Sequence, residues 1–233
     1  RNIVIILNGI ANNPTGYSMS VSEWQAAVDV LKAAVEGKDK NVILVPDVAY
    51  LDYSGEKEEC RKFFKVFGNL PKNILVIVAY TLSKGFTLYG QRQGAMIAVT
   101  SDKDVAKEFV DVNQYASRAT WSNCNSAAQN VMIDICSDPE EIRRLDRERD
   151  VYYKLIQERA AVFVKEAKEA GVKIVPYISG FFITIPVEGA QKVCDLLEKE
   201  NIFLVPMKKG IRLAVCSISV SYTHLRAHET LRY

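Results

Sequence analysis

Histidine is almost missing from this 233-residue chain: there are two, and both fall in the last segment, SYTHLRAHETLRY (221–233). That segment breaks with everything before it and reads as translated sequencing-adapter read-through. Residues 220–233 are therefore set aside as a non-native tail. Residues 1–219 then hold no histidine, which excludes Ser-His-Asp and Cys-His catalysis and histidine-based metal sites from the part read for function. The five cysteines (Cys60, Cys124, Cys136, Cys194, Cys216) form no CxxC pair and no metal-ligand spacing; they read as reduced thiols of a cytosolic protein, and no metal is expected. A charge excess is lacking too. With a formal net charge of +2, nothing calls for nucleic acid or a membrane surface as partner. The longest apolar runs, near 3–7, 42–46 and 74–80, are far too short to span a bilayer, and no secretory signal is visible, so a cytoplasmic location is expected. An initiator methionine is absent as well. The chain starts at Arg1 and enters the apolar run NIVIIL at once, from which sequence is expected to be missing upstream. Finally, no GxGxxG or GxxxxGK[ST] turn follows a strand, and a nucleotide-binding α/β domain would need one.

What is present is ordinary globular material, 48% hydrophobic and 25% charged, enough for one large or two small domains. The runs IVIIL (3–7), VILVP (42–46), ILVIVAY (74–80) and AMIAVT (95–100) are apolar throughout rather than alternating, which suits strands buried on both faces of a mostly parallel sheet. Between the first two lies SVSEWQAAVDVLKAAVEGK. Ser20 or Ser22 caps this expected helix, Trp24, Ala27, Val28 and Leu31 form its inward stripe, and Gly37 ends it. Strand, crossover helix and strand make a βαβ unit, so the first part is α/β.

From Asp138 the character changes. DPEEIRRLDRERDVYYKLIQERAAVFVKEAKEAG opens on Pro139 and closes on Gly171, a long charged helix expected to bridge two domains. The acids interleaved in its RRLDRER run favour a solvated face over a nucleic-acid contact. After it, VKIVPYI, FFITIP, a helix over 188–200, FLVP and RLAVCSI predict a small α+β unit. The expected division is 1–138, 139–219 and the tail 220–233.

In open α/β sheets ligands gather at the carboxyl ends of strands. Here the first run leads into Asn13-Pro14-Thr15-Gly16, the second into Asp47-Val48-Ala49-Tyr50 and the third into Ser83-Lys84, with Arg92 eight residues further on. Singly, each has an ordinary reading: NPTG as a turn, Asp47 as a cap, Tyr50 as a half-buried aromatic, Lys84 as a solvated lysine and Arg92 as a surface ion-pair partner. In this order at strand ends, they make a different inventory. A lysine desolvated among apolar neighbours is a competent imine-forming nucleophile. Pyridoxal 5′-phosphate (PLP) needs such a lysine, an acid beside its pyridine nitrogen, and donors for its phenolic oxygen and phosphate. Asp47 suits the ring nitrogen, Tyr50 and Asn13 the phenolic oxygen, and Ser83 with the bidentate fork of Arg92 the phosphate. The glycines of AYTLSKGFTLYGQRQG (79–94) read as places where backbone approaches that cofactor closely.

The ordered set NPTG, DVAY, TLSKGFTLYGQRQG and a late GIRLAV resembles the class I PLP-dependent aminotransferases, the aspartate and aromatic amino acid group, over essentially all of residues 1–219. The Lys84-to-Arg92 spacing is specific, far more so than a lone glycine motif. The resemblance implies the fold type I architecture: a partial large domain with a mostly parallel sheet, over 1–138, followed by a linking helix and a small α+β domain. It implies that Lys84 carries the cofactor's aldehyde, that Asp47 pairs with the ring nitrogen, that Asn13 and Tyr50 meet the phenolic oxygen, that Ser83 and Arg92 bind phosphate, and that Arg212 grips the substrate α-carboxylate. SRATWSN (117–123) is similar to the segment that brings an arginine into the neighbouring subunit's site in the aspartate group. Arg118 is the matching position, either a ligand for a distal carboxylate or an interface arginine with no substrate role. The family continues with prolines; here Cys124-Asn125 follow.

The implied activity is ping-pong transfer of an amino group from an aromatic or acidic L-amino acid to a 2-oxo acid, typically 2-oxoglutarate, by a cytoplasmic homodimer of amino acid biosynthesis. A lysine serving as both nucleophile and base makes the lack of histidine no obstacle. The phosphate-cradling turn, the ring-stacking aromatic and the N-terminal segment of the family have no counterpart in this sequence, so the piece made alone is expected to be poorly folded and inactive. C–S lyases and PLP-binding regulatory domains share the Asn, Asp, Lys and Arg set, and the SRATWSN context favours transaminases over them. A non-catalytic role would leave Lys84, Asp47 and Arg212 replaceable.

Overall fold

The computed structural model describes residues 2–217, and the expected tail lies outside the described residues. Its residues group into two compact units that are not a single cut of the chain. The first takes in the chain up to Ile10, Met19–Asp52 and Glu56–Arg147, and the second Ala11–Ser18, Tyr53–Gly55 and Glu148 onward.

In the first unit β1 (Asn2–Leu7), β2 (Asn41–Pro46) and β3 (Ile74–Thr81) lie side by side in parallel, and β4 (Gly94–Val99) pairs antiparallel with β3. The crossover between β1 and β2 is α1 (Val21–Val35). Ser20 caps it, in a reciprocal capping box with Glu23, and Gly37 takes the left-handed φ of +63° that stops it. Trp24, Val28, Leu31 and Val35 are its buried stripe, whereas Ala27 is only half-buried. Trp24 is fully buried and stacks on Phe63 at 5.1 Å, with Phe67 edge-on at 5.7 Å. Both phenylalanines come from the 3₁₀ segment Glu59–Phe67. Together these groups cover one face of the sheet, packing on Val42, Leu44, Ile74, Val76 and Val78.

One expectation fails here. The strands are not buried on both faces: β2 and β3 alternate in burial, and Val4 and Ile6 of β1 are 61% and 73% exposed. The described residues of this unit supply cover for one face only. The sheet is mostly parallel, as expected; AMIAVT alone runs against its neighbour, because the connection 82–93 holds a one-turn helix and closes back through Leu82 N to Gln93 O instead of crossing over.

The connection holds a one-turn helix, α2 (Leu82–Gly85). Beyond β4 come α3 (Lys103–Thr120), α4 (Ser126–Ser137) and α5 (Pro139–Glu169), a helix of 31 residues, as expected from its sequence. Its early arginines sit among its own acids: Arg143 meets Glu140 at 2.8 Å and holds that carboxyl below the usual carboxylate range.

The second unit is built on an antiparallel sheet, β5 (Phe182–Ile185), β6 (Val205–Met207) and β7 (Gly210–Ala214), in the order β5-β7-β6, with α6 (Ala190–Lys199) packed on it. Ile183, Ile211, Leu213 and Val215 join Ile156, Ala160 and Phe163 of α5 and Cys194 of α6 in its core. VKIVPYI is not a strand. Pro176 has no N–H to give a ladder, and although Val175 N bonds to Thr184 O at 2.9 Å, the amides of Ile178 and Ser179 turn instead to Gly16 O at 2.8 and 2.9 Å.

Candidate active site

Arg118 on a helix aside, each candidate residue sits where a strand or tight turn delivers it, and these residues fall into two groups. In the first unit the carboxyl ends of β2 and β3 are neighbours, joined beyond the strands by the bridge Asp47–Ala79. Asp47 Oδ1 accepts from Ala49 N at 3.0 Å, an Asx turn that starts the segment leading to Tyr50. The capping role is thus real, but it occupies one carboxylate oxygen, and Oδ2 has no hydrogen bond among the described residues. Tyr50 is buried, 6% exposed.

At the end of β3, Thr81 caps α2 by accepting from Ser83 N at 3.1 Å, and its hydroxyl lies 2.9 Å from the buried Ser83 Oγ. This turn presents Lys84. Its ammonium lies 3.8 Å from the ring centroid of Tyr89 and 5.4 Å from that of Tyr50, a pair of cation–π contacts. Lys84 makes no ion pair among the described residues.

The segment 82–93 closes on itself through Leu82 N to Gln93 O at 3.1 Å, which brings Arg92 back beside the turn. Arg92 takes a left-handed φ of +51°, is exposed, and donates from Nη1 to Tyr89 O at 2.8 Å. The glycines here have other reasons than a cofactor: a Cβ on Gly94 would strike the Tyr80 carbonyl at 2.5 Å, and one on Gly90 would meet open space. Tyr80 itself donates to Asp52 Oδ2 at 2.9 Å, and Asp52 pairs with Arg61 at 2.5 Å, which braces the end of β3.

Arg118 stands apart from this group. It lies in the last turn of α3, is exposed, and bonds to Ser122 Oγ; with Asp111, Gln114, Tyr115, Ser117 and Asn123 it lines a shallow groove. The departure at Cys124-Asn125 has a structural reason. Asn125 caps α4 by accepting from Ala127 N and Ala128 N, and it donates to Gln91 Oε1 at 2.6 Å, next to Arg92.

The second group lies in the second unit. Asn13, expected beside the lysine, belongs to the 11–18 loop of this unit, where its Oδ1 accepts from Arg212 Nη1 at 3.0 Å. Arg212 on β7 also lies over the Phe182 ring at 4.5 Å, and its Nε is buried without a hydrogen-bond partner among the described residues. A buried donor of this kind costs free energy until an acceptor reaches it.

Sequence reasoning missed Tyr89, which touches Lys84 by its ring and Arg92 by its carbonyl, and Phe182 beneath Arg212. Tyr89 carried a signal in its place midway between the two anchors; Phe182 carried none. Chemically, the first group offers an amine, a carboxylate oxygen, a phenol, a buried hydroxyl and a guanidinium, a donor set that fits an anionic cofactor bearing a carbonyl and a basic ring nitrogen. The second offers a guanidinium aimed by an amide, which fits a carboxylate. Among the described residues no cluster of histidine, cysteine or acid could hold a metal ion, and no helix is long and apolar enough to cross a membrane.

Comparison with known proteins gives the same direction. The family model for aminotransferase class I and II matches residues 1–223. An aminotransferase from Anaerococcus prevotii, known from a crystal structure, is 40% identical with a TM-score of 0.92, over 99% of this chain and 55% of that one. The cytoplasmic aspartate aminotransferase of Caenorhabditis elegans is 24% identical over 238 residues, 98% of this chain and 55% of that protein. The aromatic-amino-acid aminotransferase of Burkholderia pseudomallei, solved covalently bound to pyridoxal phosphate, shares the fold at a TM-score of 0.73 and 23% identity, over 94% of this chain and 53% of that one. The chain thus spans about half the length of these relatives.

Proposed function

The chain belongs to the class I and II aminotransferase family and has the fold type I architecture of that family; from this premise we propose that it is part of an enzyme moving an amino group from an aromatic or acidic L-amino acid to a 2-oxo acid, typically 2-oxoglutarate, with PLP as cofactor. The observation that carries the reading is Lys84, set on the Tyr50 and Tyr89 rings at the end of β3 without an ion pair among the described residues. When bound, PLP supplies an aldehyde that captures amines and a pyridine ring that draws off electron density from the substrate Cα.

The remaining work falls to side chains. Lys84 Nζ would hold the cofactor through its aldehyde, and as a free amine the same nitrogen would take a proton from the substrate Cα and later give it back. Asp47, whose Oδ1 is engaged by Ala49 N, would keep a proton on the ring nitrogen through Oδ2. Tyr50 and Asn13 serve the phenolic oxygen, and Ser83 and Arg92 the phosphate. Arg212 forks the substrate α-carboxylate in both half-reactions, so one site serves the donor and acceptor in turn. Arg118 has two readings, a ligand for the distal carboxylate of acidic donors or an interface arginine, and its exposed bond to Ser122 favours the second. Residues 1–138 are read as the C-terminal part of the large domain and 139–219 as linking helix and small domain, in a cytoplasmic homodimer of amino acid biosynthesis. The chain spans about half of its relatives, and by itself it is expected to be inactive.

The test is amino transfer by the whole protein, supplied with PLP, 2-oxoglutarate and aspartate or phenylalanine. Glutamate formation with either donor, lost in Lys84→Ala, is the expected result. Transfer that persists without Lys84 would contradict the reading.

A further inference from the structure

Arg212 and Asn13 meet although 199 positions separate them, and the second unit contains the device that joins them. Thr184 on β5 stands directly opposite Arg212 on β7 in the antiparallel register. It is buried, 7% exposed, where an unpartnered hydroxyl would be costly. Its Oγ1 donates to the carbonyl of Pro14 at 2.8 Å. Two cross-strand neighbours therefore grip two consecutive loop residues, Arg212 by the Asn13 side chain and Thr184 by the Pro14 carbonyl.

The rest of the loop is fastened to the lead-in of the same strand. Gly16 O accepts from Ile178 N and Ser179 N. Ser18 Oγ accepts from Ala11 N and lies 2.7 Å from the buried Ser179 Oγ. A Cβ on Gly16 would strike the Tyr177 ring at 2.2 Å. Phe182, two residues before Thr184 and so on the same face of β5, supports the guanidinium from the ring side.

We propose that Thr184 is a positioning residue: by holding the Pro14 carbonyl it sets the Asn13 amide against Arg212 and so fixes the direction in which the guanidinium meets a substrate carboxylate. The assignment of that carboxylate rests on the function proposed above; the grip itself does not.

The experiment follows the Arg212 guanidinium by ¹⁵N NMR in the whole protein, comparing wild type with Thr184→Val, which keeps the shape, and Thr184→Ser, which keeps the hydroxyl. Hydrogen exchange at Arg212 should quicken about tenfold in the valine variant, the loss of one hydrogen bond, and return to the wild-type rate in the serine variant. In the whole enzyme the valine variant should raise KM for 2-oxoglutarate by a similar factor with kcat little changed. Unchanged exchange in Thr184→Val, or a serine variant that behaves like valine, overturns the proposal. Should the valine variant not fold, Asn13→Ala at its exposed position must quicken Arg212 exchange while the Gly16 amide, bonded to Asn12 O, stays protected; unchanged Arg212 exchange overturns the grip. An Arg212 that behaves as expected in a protein whose Lys84 takes up no PLP sinks the functional reading and leaves the positioning in place.

Discussion

The lysine group and the arginine group are held by opposite kinds of sheet. Lys84, Asp47 and Tyr50 stand just beyond the ends of two parallel strands, where the backbone leaves the ladder and a turn can aim a side chain. Arg212 stands in the middle of an antiparallel strand, aimed by what lies across and beside it: Thr184, Phe182 and a loop from far away in sequence. The first arrangement is local in sequence, so its chemistry is set by short segments. The second depends on a long-range contact, so its chemistry is exposed to changes that never touch the arginine.

The largest effect that tests this contrast is on the lysine side. Lys84→Ala in the whole enzyme should lower kcat by at least about a thousandfold, because one nitrogen is both anchor and base; steady-state rates with saturating donor measure it. Next comes the packing beneath that group. Trp24→Ala should cost about 3–5 kcal/mol of stability in denaturant unfolding, since the indole is fully buried against Phe63 and Phe67. On the other side, Arg212→Lys should raise KM for donor and acceptor alike by about 30- to 100-fold, as a point charge replaces a fork. If it lowered kcat and left KM alone, the two groups would not differ as described. Removal of the capping box by Ser20→Ala should cost only about 1 kcal/mol, read from the shift in the unfolding midpoint.

The smallest effect is a pH dependence in the second unit. Burial, with Tyr153 close by, pushes the Tyr177 phenol above its ordinary value of 10.0. The folded state therefore holds that proton more tightly than the unfolded chain. Its contribution to stability is complete below about pH 10 and is lost as the pH climbs beyond that value. Tyr177→Phe should flatten the alkaline fall in stability, at the cost of the hydrogen bond to Gly180 O.

The same contrast explains how much was legible in the sequence. The apolar runs of β1 to β3, the Ser20 and Gly37 boundaries of α1, and the Pro139 start of α5 are local signals, and the structure follows them. So is the set Asp47, Tyr50, Ser83 and Lys84, because strand ends are readable from where apolar runs stop. Asn13 was legible as a residue but not as a member of the arginine's unit, since nothing in NPTG says which strands its loop will bind. VKIVPYI has strand composition, yet Pro176 and the turn of the Ile178 and Ser179 amides to Gly16 take it out of the ladder. One-sided burial of the sheet was likewise hidden, because an apolar run reads the same whether one face or both are covered.

The most direct measurement is to reduce the whole protein with borohydride in the presence of PLP, digest it with trypsin and map the labelled peptide. The account predicts one pyridoxyl label, on Lys84 within the tryptic peptide 73–92 because the modified lysine resists cleavage, and no label there in Lys84→Ala. Label spread over surface lysines, or absent from Lys84, would contradict it.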